Sequence, residues 1–375
     1  MFRKISLSRV CSIGLCGGAL SALGVLAQTA VAAAPTDTLY FTDLNDNLYS
    51  VNWQIDPVRI PNPSLIDGNI ATVVAPAVVS LNTSTTHHGA GIANSTSMYQ
   101  PVNANAVFVL GSDGNLWLET GPWNGIQHTI DTRKQVDAQV TYFWAVDSKH
   151  VFVVGNDGNL WYETAPTPSD VNGWGNVQAV IDTRQQVDGR VAEFQVLNSR
   201  TLVVEGYGGN LWLETASPTS GWSVGNTIGT RKPIDGNVQS FSAVDENTIF
   251  VQGEDNKLWL EKAPWNGVDY TIATRIAVDA NVSQVQALDA NHIMVIGTDG
   301  KLWLENGPFA NIPQTIGERD LIDVNVYAAG ALNTAELYVI DSFGNLWFED
   351  YANKTTEHTL VYAGVRTASA LQIKN

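Results

Sequence analysis

The sequence predicts an all-β fold: a seven-bladed β-propeller of four-stranded antiparallel blades, closed by pairing of its N- and C-terminal strands. Three observations predict it, namely a hairpin that recurs seven times, a repeat interval of mostly 44–51 residues, and chain ends that complement one another.

The hairpin is clearest in residues 107–119, VFVLGSDGNLWLE. Two runs of alternating apolar residues flank Ser112-Asp113-Gly114-Asn115, and a Gly/Asn/Asp turn between such runs signals a two-stranded ribbon. The unit returns as VFVVGNDGNLWYE (151–163), LVVEGYGGNLWLE (202–214), IFVQGEDNKLWLE (249–261), IMVIGTDGKLWLE (293–305) and LYVIDSFGNLWFE (337–349), with a weaker copy, LYFTDLNDNLYSV, at 39–51. Its aromatic falls at Trp117, Trp161, Trp212, Trp259, Trp303 and Trp347, spaced 44, 51, 47, 44 and 44 residues apart, and Tyr49 precedes Trp117 by 68. A stretch rich in Ala, Val, Ser and Thr at about 70–99, containing His87 and His88, accounts for the longer first interval.

Within a unit, residues 140–146 read as a first strand, 151–155 as a second and 160–164 as a third. A loop then leads to an expected fourth strand at 179–183, and residues 184–188 pass to the next unit. No segment sustains a 3.6-residue period, so almost no helix is expected. The chain begins with a second-strand sequence at 39–42 and ends with one resembling a first strand at 368–373; their pairing would close the ring and remove two exposed edges.

Residues 1–33 read as a cleaved signal peptide, with Arg3, Lys4 and Arg9 before an apolar run and Ala30-Val31-Ala32 before the cut; an uncleaved signal anchor is the alternative. Residues 34–375 then form one propeller domain, secreted or periplasmic. Both cysteines, Cys11 and Cys16, lie in the leader, so the remainder can form no disulfide, thiolate nucleophile or zinc–thiolate site. Loss of the leader's three basic residues makes the formal net charge of −17 more negative still, which argues against a nucleic-acid partner.

Three residue sets recur once per unit. The third-strand aromatics are expected to fill the wedge between sheets. Glu119, Glu163, Glu214, Glu261, Glu305 and Glu349 fall two residues later, on the same face, as surface or inter-blade partners. Arg133, Arg184, Arg231, Arg275 and Arg319 each stand four residues before an Asp (Asp137, Asp188, Asp235, Asp279, Asp323) and could clip the crossing segment to the adjacent sheet, or line a polar pocket between blades. Loop aromatics Trp123, Trp174, Trp222, Trp265 and Phe309, in contexts such as GPWNG, are candidate platforms for sugar rings, with loop packing as the alternative. The histidines are scattered and suggest no metal trio, and no nucleophile or metalloprotease motif occurs.

The copies GSDGNLWLE, GNDGNLWYE and GTDGKLWLE, joined by TRKQVDAQV, TRQQVDGRV and TRKPIDGNV, resemble repeats of the bacterial PLL-like and tectonin-type β-propeller lectins over nearly all of the mature chain. The resemblance implies multivalent binding of fucose-like or O-methylated sugars between blades, glycan partners including those of cell surfaces, no cofactor and no catalysis. It also implies rings that often pair, although nothing in this chain marks an interface. The divergent first unit and the 70–99 insertion depart from the family's regular ring and put at least one pocket in doubt. Similar DGNLW hairpins occur in virginiamycin B lyase, a magnesium-dependent propeller enzyme, but that family's Gly-Ile-Gly-Arg-Ile segment is absent. A protein-interaction or envelope scaffold is the remaining alternative.

Overall fold

The computed structural model describes residues 38–45, 47–52, 63–68, 99–103, 105–166, 173–331, 336–351 and 357–370. The expected leader and the expected insertion, Tyr99 apart, lie outside them.

Seven four-stranded antiparallel sheets succeed one another along the chain and form a seven-bladed β-propeller. Blade three shows the plan: Val140–Asp147, His150–Gly155, Asn159–Thr164 and Gln185–Gly189 pair in chain order. Blade one is the exception, because its first strand, Val365–Ala370, comes from the C-terminus and pairs with Thr38–Asp43 in register Phe41 opposite Ala368. Closure by the two ends is therefore as the sequence predicts, with the strand beginning three residues earlier than expected.

The predicted fourth strand is a correction. Residues 177–183 form a seven-residue helix, Val177–Thr183, and the strand is the following Gln185–Gly189, within the segment expected to cross to the next unit. The same short helix recurs at Ile126–Thr132, Val224–Thr230, Val268–Thr274 and Ile312–Glu318, so the expectation of almost no helix fails once per unit in five units. Two turns are too few to show a period in sequence. The helix is instead held by its ends: Asn176 and Asn311 cap with their side chains, and Thr183 returns its hydroxyl to the Ala179 carbonyl at 2.8 Å.

Blades are joined through backbone. The Val140 N–H donates to the carbonyl of Gly114, the hairpin-turn residue of the preceding blade, at 2.9 Å, and Val191 to Gly158, Val238 to Gly209 and Val326 to Gly300 repeat the contact. Gly114 sits at φ +77°, where a side chain is strained, which explains the turn composition. One residue before each such valine, and before Val282, which donates likewise to the Asn256 carbonyl, the chain passes through the left-handed region, at Gln139, Arg190, Asn237, Asn281 and Asn325. Asn tolerates that conformation better than Arg. Arg190→Asn is therefore expected to stabilise the ring by about 0.5–1 kcal/mol, read as a raised denaturation midpoint; a lowered midpoint would refute the backbone argument.

The core lies between sheets. Leu116, Leu118 and Val136 of blade two pack with Val140, Phe143, Val151 and Val153 of blade three, and the first strands of neighbouring blades touch. Among the described residues no helix is long and apolar enough to cross a membrane.

Candidate functional site

Each short helix spans a seam, touching the third strand of its own blade and the fourth strand of the blade before. The arginine that ends it turns into extended backbone, φ −62° at Arg184, and its side chain enters the seam. There the Arg184 guanidinium lies 4.0 Å above the Trp161 ring, 3.4 Å from Asp137 and 3.7 Å from Glu163.

The cluster repeats at five consecutive seams. Arg133 lies on Trp117 with Asp67 and Glu119, Arg231 on Trp212 with Asp188 and Glu214, Arg275 on Trp259 with Asp235 and Glu261, and Arg319 on Trp303 with Asp279 and Glu305. The carboxylate partner is thus the Asp of the preceding blade, not the Asp four residues downstream. Spacing placed every member of the cluster except Asp67 but assigned the Asp to the wrong arginine, because equivalent residues of adjacent repeats meet across a seam that sequence distance cannot show. The clip to the adjacent sheet is real.

Trp117, Trp161, Trp212, Trp259 and Trp303 are half-buried under the guanidinium, whereas Trp347 packs against the core as expected of a wedge filler; the alternating leucines are fully buried in the wedge. The glutamates are fully buried and inter-blade, none at the surface. As carboxylates, Glu119, Glu163, Glu214, Glu261 and Glu305 would have no donor for either oxygen. As neutral acids they donate to the facing Asp. Burial first, then the neighbouring Asp, pushes Glu214 and Glu305 up to about 9 and Glu261 to about 10, against the lowering by the arginine. Glu119 and Glu163 move the same way for the same leading cause. At these five seams burial therefore favours the neutral form of the glutamate beside the guanidinium.

The loop aromatics are also corrected. Trp174, Trp222, Trp265 and Phe309 are buried at 8% exposure or less, and Trp123 is half-buried against the same core. Trp174 meets Phe108 of the preceding blade edge-on at 6.2 Å and donates its indole N–H to the Ser148 carbonyl; Trp222 does the same with Phe152 and Ser199. The four buried rings seal seams and offer no free face for a sugar ring.

Two seams differ. Between blades six and seven, His358 replaces the arginine and lies 3.0 Å from Glu349. Between blades seven and one, Tyr49, Val51 and Tyr362 stand where the other seams have Trp, Glu and Asp, and an aromatic group of Phe41, Tyr49 and Tyr362 replaces the polar cluster.

Sequence reasoning missed one repeated feature. Ile130, Ile181, Ile228, Ile272 and Ile316, each three residues before the seam arginine, are 38–48% exposed. The I-x-x-R spacing carried that signal once the helix is recognised.

No protein-family model matches the sequence, and no curated protein is similar to it. Among solved structures the chain is similar to the computationally designed Ika8 protein, at 12% identity over 90% of this chain and 88% of that one with a TM-score of 0.48. It is also similar to the WD40 propeller domain of Doa1 (10%, 71% and 83%, 0.44) and to a chain of the complex of Kap60 with yeast RCC1, Prp20 (11%, 97% and 91%, 0.42). Likeness at this level carries no inference about activity or partner.

Proposed function

We propose that the protein is a multivalent carbohydrate-binding propeller acting outside the cytoplasm, which takes sugars at its five Arg–Trp–Asp–Glu seams and leaves them chemically unchanged. The observation that supports this reading is the fivefold recurrence of one cluster whose arginines keep 20–26% of their side-chain surface exposed. Guanidinium and carboxyl groups offer hydroxyls both donors and acceptors, the indole edge offers a C–H contact, and the exposed isoleucine three residues before the arginine suits a methyl substituent. Single sites near millimolar affinity, worth about −4 kcal/mol each, gain avidity when several occupy one rigid ring.

Calorimetry with fucosides and O-methyl sugars tests it, and five sites per ring are expected. Arg184→Lys keeps the charge but loses the planar fork, so it is expected to remove one site and leave the thermal midpoint nearly unchanged. Absence of heat with every sugar at millimolar concentration would overturn the reading.

The exposed isoleucines favour a second reading, a scaffold that docks a protein on the helix-bearing surface. Under it, Ile181→Glu with Ile228→Glu abolishes capture of that partner while sugars fail to bind the wild-type ring.

A further inference from the structure

We propose that the seam between blades six and seven is a single divalent-metal site of the zinc class, formed by Asp323, Glu349 and His358. In register, Leu304 faces Asp320, which leaves Arg319 opposite Glu305; in the next blade Glu349 faces His358 directly. His358 thus occupies the arginine's place, and the seam has lost its fixed cation while keeping both carboxylates.

One potential ligand atom from each of the three side chains lies within 4.8 Å of the others. His358 Nδ1 is 3.0 Å from Glu349 Oε1. Glu349 is fully buried, and its Oε2 has no hydrogen-bond partner. Unsatisfied oxygens occur on the glutamates of the five arginine seams too, but here no guanidinium stands beside the two carboxyl groups, and its place is the position a cation fills. An imidazole with two carboxylates suits a borderline first-row ion, and ligands about 2.0–2.2 Å from zinc would sit about 3.4 Å apart, inside the spacing found. His358 is 44% exposed on its side chain, which leaves a water position open for a fourth ligand. The scattered histidines gave no sign of this, because two of the three ligands belong to the repeat and only the third breaks it.

Full-length protein dialysed against chelator is titrated with Zn²⁺ by calorimetry. One tight equivalent is expected. His358→Arg restores the side chain that five of the other seams carry, so it is expected to fold with an undiminished melting temperature and to lose that equivalent, weakening affinity by more than the about 100-fold that removal of an outer-shell partner costs. Arg319→His is expected to create a second equivalent. Two results would overturn the proposal: no tight equivalent in the wild type, or an equivalent that survives His358→Arg, which would place it at surface pairs such as His150–Asp147 or His292–Asp289.

Discussion

A chain ending at Gly364 is expected to unfold roughly 7 °C or more below the full-length protein. The deleted strand fills five ladder positions opposite Thr38–Asp43. It buries Val365 to 2% exposure, and its Ala368 carbonyl accepts from the Tyr338 hydroxyl of blade seven at 3.0 Å. At about 1 kcal/mol net per ladder hydrogen bond and about 1.5–3 kcal/mol for a buried valine, the loss is about 5 kcal/mol or more. Spread over an unfolding entropy of about 2.1 cal/mol/K per residue, that gives the stated shift. Scanning calorimetry of the two chains decides it, and equal midpoints would mean that the ring does not depend on its closing strand.

The second large effect is on pH. Glu214, Glu261 and Glu305 have folded-state values of about 9, 10 and 9, above the ordinary 4.5 of the unfolded chain. Between those limits the folded ring holds protons that the unfolded chain has released, so stability falls as pH rises. The contribution is fully present below the unfolded value and gone once the folded value is passed. Each group gives a slope of up to about 1.4 kcal/mol per pH unit. The melting temperature is therefore expected to be well higher at pH 5 than at pH 8.5. Glu261→Gln keeps the shape and a donor towards Asp235 without an ionisable proton, so it should be near neutral at pH 5 and stabilising at pH 8.5. A wild-type midpoint that rises across this range would exclude the shared-proton seam.

What could be read in advance follows from where the determining interactions lie. Hairpins, blade count and closure depend on contacts near in sequence or repeated in it, so Gly114 and its equivalents announced them. The helix at Val177–Thr183 is only two turns long, and the strand after it is short, so local pattern assigned the apolar 179–183 run to a sheet. Arg184 pairs with Asp137 across a seam and not with Asp188, because identical repeats offer an identical partner in every unit and only three-dimensional placement chooses among them. Trp174 and Trp222 looked exposed because Pro and Gly surround them, whereas their rings belong to the preceding blade's core. Apart from Asp67, the members of the seam cluster were legible in the sequence; their pairing, protonation and half-burial were not.

The aromatic seam of Phe41, Tyr49 and Tyr362 bears on how the ring chooses its ends. Ionic seams of one design would let any blade dock on any other, so nothing in them counts seven. An aromatic joint suits its own partner best: closing early or late would press its rings against arginine and buried acid, which disfavours the wrong circle. It does not distinguish its own terminus from that of a second copy. Exchange of the final strand between two chains, at high concentration, is the misassembly this joint leaves unchecked.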